Sequence, residues 1–473
     1  MTVQSRPAAA PPPQPVATGR RSVVSAGEQF TAPQLQRRVL ELAWPSVADN
    51  LLATMVGIVA MIMVGGLGST AIAAVGISNQ LVWLAYVVFL ALGVGSTALV
   101  ARAVGAGDIT EANRVARQGM LLGCALSLIT GAVGAIWAPT FLRMISDDPE
   151  LVRMALPHMR ISMCTTLLAA VSFGLSATLR GAGDMRSPMF ANAAANVANV
   201  FLLYGFINGK LGMPRMGVAG AAVGASLARL ISCAILLWVA GSGRCVIRLA
   251  ARDDWRPDLG LIRRIANVGM PSAMEQGLMT LGMLMFSKIV VGIGTAVYAA
   301  HQIGVNVAQL AFMPGQGFAM ATTTLVGQSL GARRTDLAER FARTAQRIGG
   351  AMMVAMGVGF FLFGRQMAML YTAEAEVIAL AATVLRWSAF SQLPNSIYFI
   401  YAGALRGAGD TRWPLYISFA GIWGVRLNLS RFLINTLGWG IAGVWCAILC
   451  DMLVRAGVMT LRFRSGKWKA VRV

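Results

Sequence analysis

Few ionisable side chains fall inside the apolar stretches of this 473-residue chain. Those few are where chemistry is to be sought, because a charge in a hydrocarbon setting is costly unless it is paired or used. Asp49 and Glu275 follow the same local pattern, Pro45-Ser46-x-x-Asp49 and Pro271-Ser272-x-x-Glu275, with Gln276 next in line. A carboxyl so placed can take up and release a proton or, left ionised, attract a cationic compound; it can equally be hydrogen-bonded to a neighbouring helix for structure. Asp451 and Arg455 are one helical turn apart, the spacing of an ion pair, and read as a lock between helices. Arg426 is the arginine placed to reach a central cavity, while Arg160, Arg229, Arg386 and Arg431 also need partners. His301 belongs to the residue type that titrates around neutral pH and is followed by Gln302. Asn79, Gln80, Asn306, Gln309 and Gln316 add amides that can line a wet cavity or bond across helices. Pro314, flanked by Gly315 and Gly317, is expected to bend or break its helix and act as a moving part.

The elements that carry these residues are set by composition. Of all residues 56% are hydrophobic and 12% are charged, about half the usual charged share. Helices of about 20 apolar residues span a bilayer, and twelve such stretches are present, at roughly 40–64, 71–100, 118–142, 154–179, 187–209, 217–241, 265–290, 296–328, 345–369, 377–404, 413–434 and 440–462. The fold expected is an all-α polytopic membrane protein of twelve transmembrane helices in two six-helix bundles. Residues 1–36, opening with a Pro- and Ala-rich run and no apolar signal core, read as a disordered cytosolic tail. Residues 37–241 form the first six-helix lobe, 242–262 a cytosolic inter-lobe loop, 263–463 the second lobe, and 464–473 a basic cytosolic tail.

The formal charge of +21 admits either nucleic-acid binding or cationic loops beside a membrane. Most of the Lys and Arg residues fall in alternate connections, among them Arg102, Arg114, Arg117, Arg244, Arg252, Arg333, Arg334 and Arg472, whereas 65–70 and 291–295 carry none. That is the positive-inside pattern with both termini cytosolic, and it leaves no contiguous soluble face for nucleic acid. The six cysteines form no CxxC pair and read as apolar packers. No HExxH, carboxylate-rich metal motif or Ser/His/Asp set supports an intramembrane enzyme.

The chain repeats itself at one fixed offset, the one that carries Pro45-Ser46 onto Pro271-Ser272. At the same offset Gly66-Leu67-Gly68 returns as Gly292-Ile293-Gly294, and Gly105-Ala106 as Gly331-Ala332. The longest match is Leu179-Arg180-Gly181-Ala182-Gly183-Asp184, which returns as Leu405-Arg406-Gly407-Ala408-Gly409-Asp410. Six spans in each half make a parallel repeat about an axis along the membrane normal, with a cleft between the halves. Asp49 and Glu275, at equivalent places, are expected to face one another across it. The two Leu-Arg-Gly-Ala-Gly-Asp loops read as tight turns whose Arg180, Asp184, Arg406 and Asp410 form gating salt bridges.

These residues resemble the multidrug and toxic compound extrusion (MATE) family of the multidrug/oligosaccharidyl-lipid/polysaccharide flippase superfamily. The likeness is carried by both Pro-Ser entries, Ala299-Ala300-His301-Gln302, Phe312-Met313-Pro314-Gly315-Gln316-Gly317-Phe318, Thr322-Thr323-Thr324 and both Leu-Arg-Gly-Ala-Gly-Asp loops, and covers about residues 37–465. It implies a secondary antiporter that exports organic, often cationic, compounds across the cytoplasmic (inner) membrane in exchange for H⁺ or Na⁺, with no cofactor. The expected partners are small organic substrates and the lipid bilayer, and the expected state is a monomer. Two departures stand out. The family's acid late in span 1 is replaced by Ala60, and Leu203 occupies its second acidic or polar position after the paired Asn196 and Asn199. The second reading within the superfamily is a flippase for lipid-linked or polysaccharide precursors.

Overall fold

The computed structural model describes residues 29–243, 245–250 and 253–471. The cytosolic-tail reading of residues 1–28, and Arg244, Arg252 and Arg472, lie outside the described residues. Twelve helical spans run along the described chain. In the first half they are span 1 (Ala32–Gly65), span 2 (Ser69–Gly105), span 3 (Ile109–Ile136), span 4 (Pro149–Cys164 with Thr166–Gly181), span 5 (Arg186–Asn208) and span 6 (Gly217–Gly241). In the second they are span 7 (Leu259–Val291), span 8 (Thr295–Gly331), span 9 (Thr335–Met369), span 10 (Ala375–Gly407), span 11 (Arg412–Phe419, Ala420–Arg426 and Leu427–Asn435) and span 12 (Gly440–Arg464). Seven helices meet a strict test of length and hydropathy for crossing a membrane, and the bent pair of span 4 makes an eighth. Spans 7, 8, 10 and 11 fall short of it; span 8 is the one rich in amides and hydroxyls.

Local chemistry sets where the spans start. The Gln34 side chain accepts the Thr31 N–H at 2.8 Å and Pro33 sits in the first turn, so span 1 begins at Ala32, inside the segment assigned from sequence to the tail. Asp108, Asp148 and Asp258 cap spans 3, 4 and 7 through their carboxylates. Gly68 (φ 108°) and Gly294 (φ 150°), equivalent under the repeat, make the tight turns into spans 2 and 8.

Two local features differ from expectation. Span 8 runs through Pro314 without the break that was one of the two outcomes expected there. The break falls instead in span 4, which turns by 47° at Thr165. There the Thr165 hydroxyl takes up the freed Ile161 and Ser162 carbonyls and meets Ser226 Oγ of span 6 at 2.9 Å. Past span 12 the chain is not a free tail: a 3₁₀ turn, Lys467–Ala470, buries Trp468 against Phe463.

The halves join through spans 1 and 2 on one side and spans 7 and 8 on the other. The joint lies at the end of the bundle that carries the arginine-rich loops, called here the basic end. Two hydrophobic clusters cross between the halves, one built on Leu92, Leu99 and Ile265, the other on Val39, Ala43, Phe318 and Leu325. The clusters at the opposite end stay within one half, as with Phe286, Val307 and Trp445 in the second. There Met55, Ile58, Leu281 and Met283 are exposed.

Glycine makes the joint tight, and it does so twice. A Cβ on Gly105 would overlap the Gln328 carbonyl oxygen, and a Cβ on Gly331 would overlap that of Arg102. Gly105 is equivalent to Gly331, and Arg102 to Gln328, so the contact is its own image under the repeat. Gln328 Nε2 donates to Gly181 O at 3.0 Å, and Arg102 Nη2 donates at 3.4 Å to Ala408 O, one residue beyond the equivalent of Gly181. Arg102 also donates to Val471 O at 2.8 Å, which ties the end of the described chain to the first half.

Candidate functional site

Each half carries a carboxylate held by its own arginine. Asp49 Oδ2 accepts from Arg180 Nη2 at 2.9 Å and from Asn192 Nδ2 at 3.0 Å, and Ser232 donates to the Asn192 oxygen at 3.0 Å. Glu275 accepts from Arg406 Nη2 at 2.8 Å, from the Tyr398 hydroxyl at 2.6 Å and from Ser418 Oγ at 2.9 Å. Asp49, Arg180 and Asn192 are the repeat equivalents of Glu275, Arg406 and Ser418. The two carboxylates therefore do not turn to one another across the cleft: a buried charge is tolerable only when paired and hydrogen-bonded, and the matching arginine is supplied within each half. Asn192, Ser418 and Tyr398 escaped sequence reading. Adding the repeat offset to a polar residue of span 5 would have found Ser418.

The joint and these ion pairs share residues. Arg180 gives its guanidinium to Asp49 while its carbonyl accepts from Thr324 Oγ1 of span 8, in the other half, at 2.9 Å. The two loops otherwise diverge. Asp184 accepts from Ser187 Oγ at 2.6 Å and caps span 5, whereas Asp410 pairs with Arg462 of span 12 at 2.7 Å. Gating ion pairs at Asp184 and Asp410 were expected alike; Asp410 forms one with Arg462, and Asp184 also accepts the Ser187 hydroxyl three residues on. Gly183 (φ 91°) and Gly409 (φ 81°) make both turns possible.

Asp451 pairs with Arg455 as its spacing implies, at 2.6 Å, and also with Arg426 at 2.7 Å. Arg426 is thus 3% exposed and engaged, not presented to a cavity. The cause is backbone geometry: span 11 forms a π turn over Ala420–Arg426, which turns Arg426 toward span 12. Gly421 leaves the room, since a Cβ there would overlap Asp451 Oδ1 and Arg455 Nε. Arg426 lies 5.7 Å above Phe286, and His301, 4% exposed, packs edge-on between Phe286 and Trp445 at 5.7 Å from each.

The amides divide by exposure. Gln302, Asn306, Gln309 and Gln316 are exposed along one face of span 8, and Asn79 and Gln80 are exposed on span 2. Amides facing hydrocarbon would be costly, and those of span 8 share a single exposed face. Gln302 donates to the Tyr298 hydroxyl at 3.2 Å. Gln276, Asn196 and Asn199 are part-buried, with the Asn199 side-chain oxygen buried and unpartnered among the described residues. Ala60 is part-buried and Leu203 is 2% exposed, so the two positions lacking an acid are filled by apolar packing.

A duplicated six-span unit, two matched ion pairs and a cleft closed at one end correspond to one family. The MatE family model matches the chain twice, over residues 45–205 and 271–430, and the two matches begin at the paired Pro45 and Pro271 of the repeat. The chain belongs to the MatE family. It is an integral membrane protein and a transporter, not an enzyme. It is 30% identical, over 92% of its length and 94% of the relative's, to a probable multidrug resistance protein NorM of Thermotoga maritima. It is 25% identical to the uncharacterized transporter YisQ of Bacillus subtilis, over 91% and 94% of the two chains. Its fold matches an outward-facing multidrug resistance MATE transporter of the MOP superfamily with a TM-score of 0.86 at 23% identity, covering 94% and 100% of the chains. A Pyrococcus furiosus transporter of that superfamily, described as having a binding pocket of reversed polarity, matches with a TM-score of 0.84 at 24% identity over 93% and 98%.

Proposed function

We propose that this protein exports amphipathic organic compounds, drugs among them, across the cytoplasmic membrane in exchange for protons, by alternating access of its two halves. The observation that carries the reading is the double role of Arg180, whose side chain neutralises Asp49 while its backbone joins the halves at the basic end. With the basic end cytosolic, as the arginine distribution supports, the described state is open to the outside. Opening the basic end pulls on residue 180 and frees Asp49; a proton then replaces the guanidinium's charge and holds the halves apart until it leaves. Glu275 and Arg406 repeat the ion pair, while the link to the other half is not repeated, because Ala98 stands at the position equivalent to Thr324. A proton suits this exchange better than Na⁺, which would need several oxygen ligands where a guanidinium already sits.

Ethidium efflux from proteoliposomes under separately imposed H⁺ and Na⁺ gradients tests the reading. The expected result is H⁺-driven efflux that falls by about tenfold or more in Asp49→Asn or Glu275→Gln, with no gain from a Na⁺ gradient. Ala60→Asp restores an acid of the family's pattern and is expected to add cation export without replacing Asp49. Undiminished gradient-driven efflux in both neutralised variants would remove the coupling assignment. Movement of lipid and no dye would favour the flippase.

A further inference from the structure

The first half holds a membrane-embedded arginine that no acid neutralises among the described residues. Arg229 sits at the middle of span 6, with about 18 Å of helix to either end at 1.5 Å per residue, too far for its side chain to snorkel to an interface. Among the described residues it has no ion pair and no hydrogen bond; its recorded contact is with the ring of Tyr86, 5.4 Å from the centroid. Its repeat equivalent, Arg455, is held by Asp451, but the residue equivalent to Asp451 is Ala225 and the one equivalent to Arg426 is Val200. The duplication kept the cation and not the counter-charge. Arg229 is part-buried and so reachable.

What surrounds it also lacks partners. The Tyr86 hydroxyl is buried and unpartnered, as is Nδ1 of His158, a side chain 4% exposed and within electrostatic reach of Arg229. A guanidinium and a phenol both donate, and a ligand that answers them must accept, because a buried donor left without a partner is unfavourable. Aromatic rings adjoin the site: Phe89 and Phe173 lie 6.0 and 6.2 Å from Tyr86. From this we infer that Arg229, Tyr86 and His158 form a binding site for organic anions, aromatic carboxylates or sulfonates, within the first half. The inference rests on the export reading above and names a substrate class for it. The carboxylate pairs with Arg229 and accepts from Tyr86, and the flat body stacks against the neighbouring rings.

Isothermal titration of the purified full-length protein with 2-naphthoate, and with 2-naphthylmethylammonium as its charge-reversed counterpart, tests the site. Naphthoate is expected to bind more tightly than the ammonium. Arg229→Gln should weaken naphthoate by about tenfold or more, with Arg229→Lys recovering part of the loss. Ala225→Asp, which installs the acid of the second half one turn before Arg229, should abolish naphthoate binding while thermal unfolding stays cooperative, so a misfolded Arg229 variant does not decide the matter. Equal naphthoate affinity in wild type, Arg229→Gln and Ala225→Asp overturns the site, as does tighter binding of the ammonium. Dye efflux separates the two readings: naphthoate binding that depends on Arg229 in a protein that moves no dye sustains the site and removes the export reading. Dye efflux with naphthoate affinity indifferent to Arg229 does the reverse.

Discussion

Asp451 illustrates how a single buried acid organises several helices. It accepts from Arg455 on its own span and from Arg426 on span 11, and Arg455 in turn lies 5.6 Å over the Tyr398 ring that serves Glu275. Removing one partner of a buried ion pair typically costs about 3–5 kcal/mol, because the other charge is left stranded. Asp451→Asn strands two arginines and is expected to lower stability by at least that range, read as a fall in the thermal midpoint of the purified protein; an unchanged midpoint would show that the triad is not structural. Arg333 supplies a prediction of opposite sign. It adopts φ 58°, a left-handed backbone whose repeat equivalent is Gly107 at φ 78°. Arg333→Gly should therefore stabilise by about 1 kcal/mol through relieved strain, measured by the same melting experiment. At this scale the sequence was informative about which residues matter and less so about whom they meet. Asp49, Glu275 and the Asp451–Arg455 spacing were legible because helical period and lipid cost are local facts. The Asp49–Arg180 pair was not, since the two residues are 131 positions apart and only packing brings them together.

Elements behave as rigid parts whose fit is set by their smallest residues. Spans 2 and 8 touch where Gly105 and Gly331 lie against each other's neighbouring carbonyls, so a side chain there acts as a wedge. Gly105→Leu is expected to lengthen the distance between spin labels on the basic ends of spans 2 and 8, measured by pulsed electron paramagnetic resonance, and to reduce efflux. An unchanged distance would mean that the glycine contact does not hold the halves. Element order and the duplicated halves could be read from hydropathy and the constant repeat offset. The irregular places could not. Pro314 has the signature of a break, yet span 8 is continuous, while the bend at Thr165 and the π turn at Ala420–Arg426 carry no proline. Both meet polar neighbours across the bundle: the bend brings Thr165 to the Ser226 hydroxyl, and the π turn brings Arg426 to the Asp451 carboxylate.

For the whole molecule, the charge that first looked like a puzzle falls into three groups. Loop arginines gather at one end and help bind the inter-lobe segment, as when Asp253 pairs with Arg117 at 2.8 Å. The Ala250 N–H, and then Arg117, hold the Asp253 carboxyl below its usual range. A second group is neutralised inside each half, and a third, Arg160, Arg229, Arg386 and Arg431 among them, lies within spans with no ion pair among the described residues. The mechanism proposed for these parts requires the basic end to separate in every cycle. Ala101 and Gly327 face one another across that joint, with a Cβ at Gly327 lying 2.7 Å from the Ala101 Cβ, close enough for a disulfide after a small adjustment. In a background with the six native cysteines replaced, Ala101→Cys with Gly327→Cys gives a bridge that can be made and broken at will. The most direct measurement is proton-driven dye efflux by this variant in proteoliposomes, before and after reduction. Alternating access predicts that oxidation stops efflux and that reduction restores it. Full efflux through the oxidised, cross-linked protein would contradict the account.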